Sequence, residues 1–95
     1  MILNFGSINI DNVYRVNRFP QAGETISSQS YEKILGGKGI NQSVAIHQAN
    51  GKVKHIGYIG DDEWILSQIS KMEMKTDFIS KCYGPTGHAI IFVDN

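Results

Sequence analysis

The sequence predicts an α/β protein built on a parallel sheet, and three observations carry that expectation. Short apolar runs suited to strands alternate with segments whose apolar residues recur at helical spacing. The first run, residues 2–10, mixes Ile2, Leu3, Phe5, Ile8 and Ile10 with small residues, the pattern of a strand buried on both faces. A glycine-rich turn, Gly36-Gly37-Lys38-Gly39, then leads into a helical segment, as the right-handed crossovers of parallel sheets require.

Each element has its own warrant. After the first strand, residues 12–34 turn polar and β-like. Val13, Tyr14 and Val16 lead to a break at Phe19-Pro20-Gln21-Ala22-Gly23, and Ser and Gln replace a full apolar face in residues 25–34, so this stretch reads as a solvated hairpin or flap. Ile40, Val44 and His47 or Gln48 then mark one helix, stopped at Asn50-Gly51 by a left-handed turn. Lys54 to Gly60 is a second strand. Asp61-Asp62 caps a second helix with Trp64, Ile65, Gln68, Ile69 and Met72 on or near one stripe. Phe78 to Ser80 forms a short third strand and Gly84-Pro85-Thr86-Gly87 a turn. In the last strand, Ala89 to Val93, Ile90 and Phe92 take one side and Ala89, Ile91 and Val93 the other.

Length and charge bound the function. Ninety-five residues, 41% of them hydrophobic, build one small core: a single domain or part of one. Nine Lys and Arg balance nine Asp and Glu, so no basic field gathers nucleic acid or anionic lipid. The N-terminus lacks a basic lead and a long apolar run, which predicts a soluble, cytoplasmic protein with no membrane partner. Cys82 is the only cysteine, so an internal disulfide and a cysteine-only zinc site are excluded. His47, His55 and His88 lack ligand spacing and read as surface or packing residues, and Asp61 and Asp62 read as caps rather than metal ligands.

The glycine loop is the first candidate site. A phosphate-binding P-loop needs G-x-x-x-x-G-K-[ST], but Gly39 follows Lys38; a dinucleotide fingerprint starting at Gly37 and Gly39 meets Gln42 where it needs glycine. Two readings remain open. The glycines let backbone amides at a helix start approach a ligand, with Asn41 adding a side-chain donor and acceptor, or they make only a tight strand-to-helix turn. Asn9 and Asp11, two positions apart on an extended segment, share a side and stand beyond the carboxyl end of the first strand, where open α/β sheets bind ligands. An amide beside a carboxylate suits a polyhydroxylated ligand. The same pair also suits an Asx turn into the flap.

GSINIDNV, the FPQAGET break, GGKGINQS, IGYIGDD and PTGHAIIFVD occur in the order and at about the spacing of the ribokinase-like (PfkB) carbohydrate kinases, and the whole chain resembles that family, nearest to its ribokinase branch. The resemblance implies the N-terminal part of a three-layer parallel-sheet fold with a β-sheet lid, residues 1–95 being one partial domain with lid strands at about 12–35 and 88–95. It implies that Asn9 and Asp11 hold sugar hydroxyls, that Gly37, Lys38 and Asn41 complete the polar side of the pocket, and that Ala89 and Ile91 form its apolar wall. The ligand is then a sugar, ribose or a similar pentose or hexose. His88 stands where a small apolar residue is common, at the expected pocket rim, and Met72-Glu73-Met74-Lys75 replaces a segment that usually carries a glycine.

The family's second signature, a glycine-alanine-glycine-aspartate segment, does not occur in these residues. With it the family places its general base, anion hole and ATP site, so the resemblance implies ATP and Mg²⁺ for a complete enzyme and neither cofactor for this chain alone. Two functions follow as expectations: the sugar-binding part of an ATP-dependent kinase, inactive by itself, or a non-catalytic module that binds sugar or forms homo-oligomers through its lid strands.

Overall fold

The computed structural model describes all 95 residues and resolves the chain into two three-stranded sheets and two helices. β1 (Ile2–Phe5), β4 (Val53–Ile59) and β5 (Ile79–Lys81) form a parallel sheet with β4 in the middle. β2 (Asn9–Arg15) is the centre of the other sheet, antiparallel to β3 (Ser30–Gly36) and parallel to β6 (His88–Val93). Helices α1 (Lys38–Gln48) and α2 (Glu63–Lys71) follow β3 and β4.

The expected first strand, residues 2–10, is in fact two. The chain leaves the parallel sheet at Phe5 and enters the second sheet at Asn9. The break lies at Gly6, packed so closely on Gly39 of α1 that a Cβ on Gly6 would stand 2.6 Å from the Gly39 Cα. Only glycine on both sides permits that approach. β1 is also not buried on both faces: Phe5 is 73% exposed, while Asn4, on the opposite face, reaches α1. The flap differs from its expected form as well. Regular pairing starts only at Ser30, and residues 16–29 carry turns and bends but no strand.

The remaining elements have local causes in the sequence. The Asp62 side chain accepts from the Trp64 amide at 3.1 Å and caps α2. Both helices end in a left-handed residue, Asn50 (φ 64°) after α1 and Glu73 (φ 62°) after α2. Each end carries the paired bonds of a Schellman motif: Gly51 to Ile46 and Asn50 to His47 in one, Met74 to Ile69 and Glu73 to Ser70 in the other. The core forms where the helices pack on the parallel sheet and the base of the second sheet, from Ile8, Ile10, Ile40, Ile59, Ile65, Ile69 and Met74. No helix is long and apolar enough to cross a membrane.

Candidate functional site

Directly paired residues in a sheet project to the same face, and alternate residues to opposite faces. The register of β2 with its neighbours therefore sorts the lid-like sheet into two surfaces. Asn9, Asp11 and Val13 share one face with Gly36 and Ile34 of β3 and with Ala89 and Ile91 of β6, since Asp11 pairs with Ile34 on one side and Ala89 on the other. Ile10, Asn12, Tyr14, Tyr31, Ile90 and Phe92 take the opposite face. Four expected site residues, Asn9, Asp11, Ala89 and Ile91, thus come together, all half-buried.

Neither Asn9 nor Asp11 makes a side-chain hydrogen bond within the chain, so Asp11 does not form the Asx turn that was its rival role. Its carboxylate lies against Gly36: a Cβ there would stand 2.5 Å from the Asp11 Cγ. Any other residue at position 36 would displace the carboxylate or the strand. Gly37 has φ 112°, the region that favours glycine, and a Cβ on it would meet the Ser7 carbonyl at 2.6 Å and the Asn9 amide nitrogen at 3.2 Å. The loop is thereby fitted to the crossover leading into Asn9.

Lys38 and Asn41 come from the first turn of α1 and not from the sheet. Both are exposed on the first turn of α1, and Asn41 lines a cleft of about 390 Å³ with Ile34, Leu35 and Val44 at the β3 edge. The helix start offers less to a ligand than the sequence suggests, because the Ile40 amide donates to the Ser7 carbonyl at 3.0 Å. His88 is not on the Asp11 face. It pairs with Ile10 on the opposite one, beside Asp61, Asp62 and Thr86, because strand alternation turns it away from Ala89. No cluster of three or more His, Cys, Asp or Glu side chains could hold a metal ion.

The shifted titrations lie elsewhere. Hydrogen bonds from Arg18 hold the Glu24 carboxyl below its usual range, and Lys54 does the same for Asp77. The Glu63 carboxylate raises the Lys81 ammonium. All of these are exposed ion pairs of the kind that shape loops.

Sequence reasoning missed a buried polar group beneath the site. Ser43 and His55 are 0% and 1% exposed, and their side chains bond at 2.7 Å through Ser43 Oγ and His55 Nδ1. A serine three residues after Ile40 on the helix and a histidine in a strand carry no pattern signal. Only the three-dimensional approach of α1, β1 and β4 makes them partners.

The comparisons with known proteins agree with this fold. All 95 residues match the family described as pfkB family carbohydrate kinase. The ribokinase of Bacillus subtilis is 35% identical over 77 residues, 78% of this chain and 26% of that protein. Among solved structures, ribokinase from Thermotoga maritima superposes with a TM-score of 0.87 at 31% identity, over 99% of this chain and 32% of its own. Arabidopsis thaliana ribokinase complexed with ribose and ATP gives 0.85 at 26% identity, over 98% and 32%. The chain thus spans about a quarter to a third of these relatives, and its two sheets and two helices match the N-terminal third of the ribokinase fold. On the match of every residue, this chain belongs to the pfkB family of carbohydrate kinases.

Proposed function

We propose that this chain is the sugar-binding N-terminal part of an ATP-dependent carbohydrate kinase, one partial domain that supplies substrate contacts and a lid. One observation carries the proposal: on the face of the lid sheet beside the glycine loop, the Asn9 amide and the Asp11 carboxylate have no partner within the chain, and Ala89 and Ile91 stand on the same face. A carboxylate accepts hydrogen bonds from two neighbouring hydroxyls and an amide both donates and accepts, while a methyl-lined patch packs on ring carbons. That combination suits ribose or a similar pentose or hexose. Gly37, Lys38 and Asn41 would close the polar side from the loop and the first turn of α1.

In this reading a sugar hydroxyl attacks the γ-phosphorus of ATP, the bond to ADP breaks, and the hydroxyl proton passes to a base. The residues present do not fit the nucleotide. The glycine loop has no P-loop spacing, its Ile40 amide is engaged by Ser7, and no acidic cluster is placed for Mg²⁺. The 95 residues alone are therefore expected to lack turnover, and ATP with Mg²⁺ belongs to a chain of full family length. A cytoplasmic setting, where ATP is abundant, goes with the proposal.

Calorimetry with D-ribose and a panel of pentoses and hexoses, beside a coupled kinase assay, tests it. Sugar binding without turnover supports the reading; turnover that follows the purified 95-residue protein, with host kinase excluded, would overturn it.

A second reading, a lid-mediated dimerisation module, is favoured by the other face of the same sheet. Tyr31, Ile90 and Phe92 are 53%, 63% and 44% exposed there, and Tyr14 packs between the Tyr31 and Phe92 rings. An apolar strand face of this kind recruits a second copy. Light scattering across a dilution series decides it: a mass that halves on dilution supports a dimer, and a constant monomer mass excludes it.

A further inference from the structure

We propose that His55 is a positioning residue for the site: it clamps the crossover between the two sheets and so sets Asn9 and Asp11 against the glycine loop. The inference deepens the sugar-binding reading, and only its affinity arm rests on that reading.

The clamp is a closed chain of bonds across three elements. From β1, the Asn4 amide donates to the Gly39 carbonyl and to Ser43 Oγ, both at 2.9 Å. Ser43 Oγ lies 2.7 Å from His55 Nδ1, and His55 Nε2 lies 3.0 Å from the Gly6 carbonyl. A carbonyl only accepts, so Nε2 carries the imidazole hydrogen. Nδ1 is then bare and accepts the Ser43 hydroxyl hydrogen, and the Ser43 oxygen accepts from Asn4. Every group has one role that satisfies it, and no buried side-chain nitrogen or oxygen is left without a partner.

The location makes this more than core filling. Gly6 is the first residue of the crossover between the two sheets, and Gly39 stands inside the glycine loop's first helical turn. Gly57 clears the path for the imidazole, since a Cβ there would lie 2.8 Å from the Gly6 carbonyl oxygen and 3.3 Å from His55 Nε2. The Ile40 amide bonds to Ser7, one residue further on. Residues 4–7 are thus held from β4 and α1 together, and Asn9 follows two residues later. An apolar pair filling the same volume would lose little from the Ser43–His55 bond, whose two partners leave together, but would leave the Gly6 carbonyl without its donor. What an apolar pair cannot do is fix the orientation of the Gly6 peptide, which aims β2.

The test compares the parent chain with His55→Phe combined with Ser43→Ala, which removes both side-chain partners of the central bond, and with Ser43→Ala alone. Hydrogen exchange read by mass spectrometry over residues 4–10 and 38–43 is expected to speed up about tenfold in the double variant, with a smaller rise in Ser43→Ala, while the rest of the chain keeps its protection and the melting temperature falls only modestly. D-Ribose affinity is expected to fall about tenfold with it. Unchanged exchange in both segments in the double variant would overturn the proposal. So would acceleration spread evenly over the whole chain with a lowered melting temperature, which is the mark of a merely structural pair. If the double variant does not fold, Ser43→Ala decides by the same local reading. Failure of the parent to bind ribose would remove the sugar reading instead, and the exchange result would still decide the clamp.

Discussion

The two sheets of this chain are made by different means. The parallel sheet is held by burial: Ile40, Ile65 and Ile69 are fully excluded from water where α1 and α2 cover its inner face. The second sheet buries only Ile10 and Gly36 within its strands, and its aromatic face is largely open. Its geometry comes from register and from glycine: β2 pairs along its full length with β3, and Gly36 and Gly37 admit the Asp11 carboxylate and the Ser7 carbonyl. One region is stabilised by packing and tolerates its surface. The other is positioned by backbone fit and leaves the Asn9 and Asp11 side chains without a partner in the chain. Substitutions should therefore separate cleanly into those that unfold and those that disarm.

Asp11→Ala should give the largest effect. Charge-assisted hydrogen bonds to hydroxyls are worth about 1.5–3 kcal/mol each, so losing two costs two to four decades of sugar affinity, roughly 3–6 kcal/mol. The melting temperature should hardly move, because Asp11 makes no side-chain hydrogen bond within the chain. Calorimetry and thermal melts on a chain of full family length carrying this segment check both halves. A sharp drop in melting temperature with sugar affinity intact would erase the contrast between the sheets.

Ile65→Ala should do the reverse. Ile65 is 0% exposed in the core, and such truncations cost about 2–5 kcal/mol. A small domain has little stability to lose, so a large unfolded fraction is expected at 37 °C by circular dichroism. A change in sugar affinity at low temperature, with the fold intact, would show that the core and the lid face are coupled.

How much of this was legible in the sequence follows from the same contrast. Helix stripes, caps and strand alternation are short-range, so α1, α2, the Asp62 cap and the two faces of β6 could be read from residue spacing. The split of residues 2–10 into β1 and β2 was not readable. Ile8 and Ile10 continue the apolar pattern, and the reason for the break, Gly6 against Gly39, joins residues far apart in the chain. The shared face of Asn9 and Asp11 was readable from their spacing, but which sheet carries them depended on that break. His55 and Ser43 could not be paired without the fold, since each alone reads as packing or surface. Departures from the family's pattern were informative in one case: the segment expected to carry a glycine has Glu73 at φ 62°.

Glu73 closes the Schellman motif of α2, a position glycine fills without the steric penalty of a Cβ in the left-handed region. Glu73→Gly should raise stability by about 1 kcal/mol, seen as a higher melting temperature with sugar affinity unchanged. A fall in stability would mean that the glycine's added freedom in the unfolded chain outweighs the relieved strain.

The smallest effect belongs to the flap. Arg18 donates two hydrogen bonds to the Glu24 carboxylate, and the Gln21 amide donates a third at 3.0 Å. The Arg18 bonds are the larger cause of the lowered Glu24 pKa, and the Gln21 amide adds to it. A carboxyl whose folded pKa is depressed contributes order above its ordinary value and loses that contribution as pH falls through the depressed one. Both partners are solvent-exposed, so the effect stays local. Hydrogen exchange of residues 17–29 in Glu24→Gln, divided by that of the parent at each pH, cancels the intrinsic pH dependence of exchange. The ratio should be about two near neutrality and approach one in acid, with no change over the core helices. A ratio of one at every pH would show that the ion pair orders nothing and that the turn at Gly23 (φ 77°) holds the flap without it.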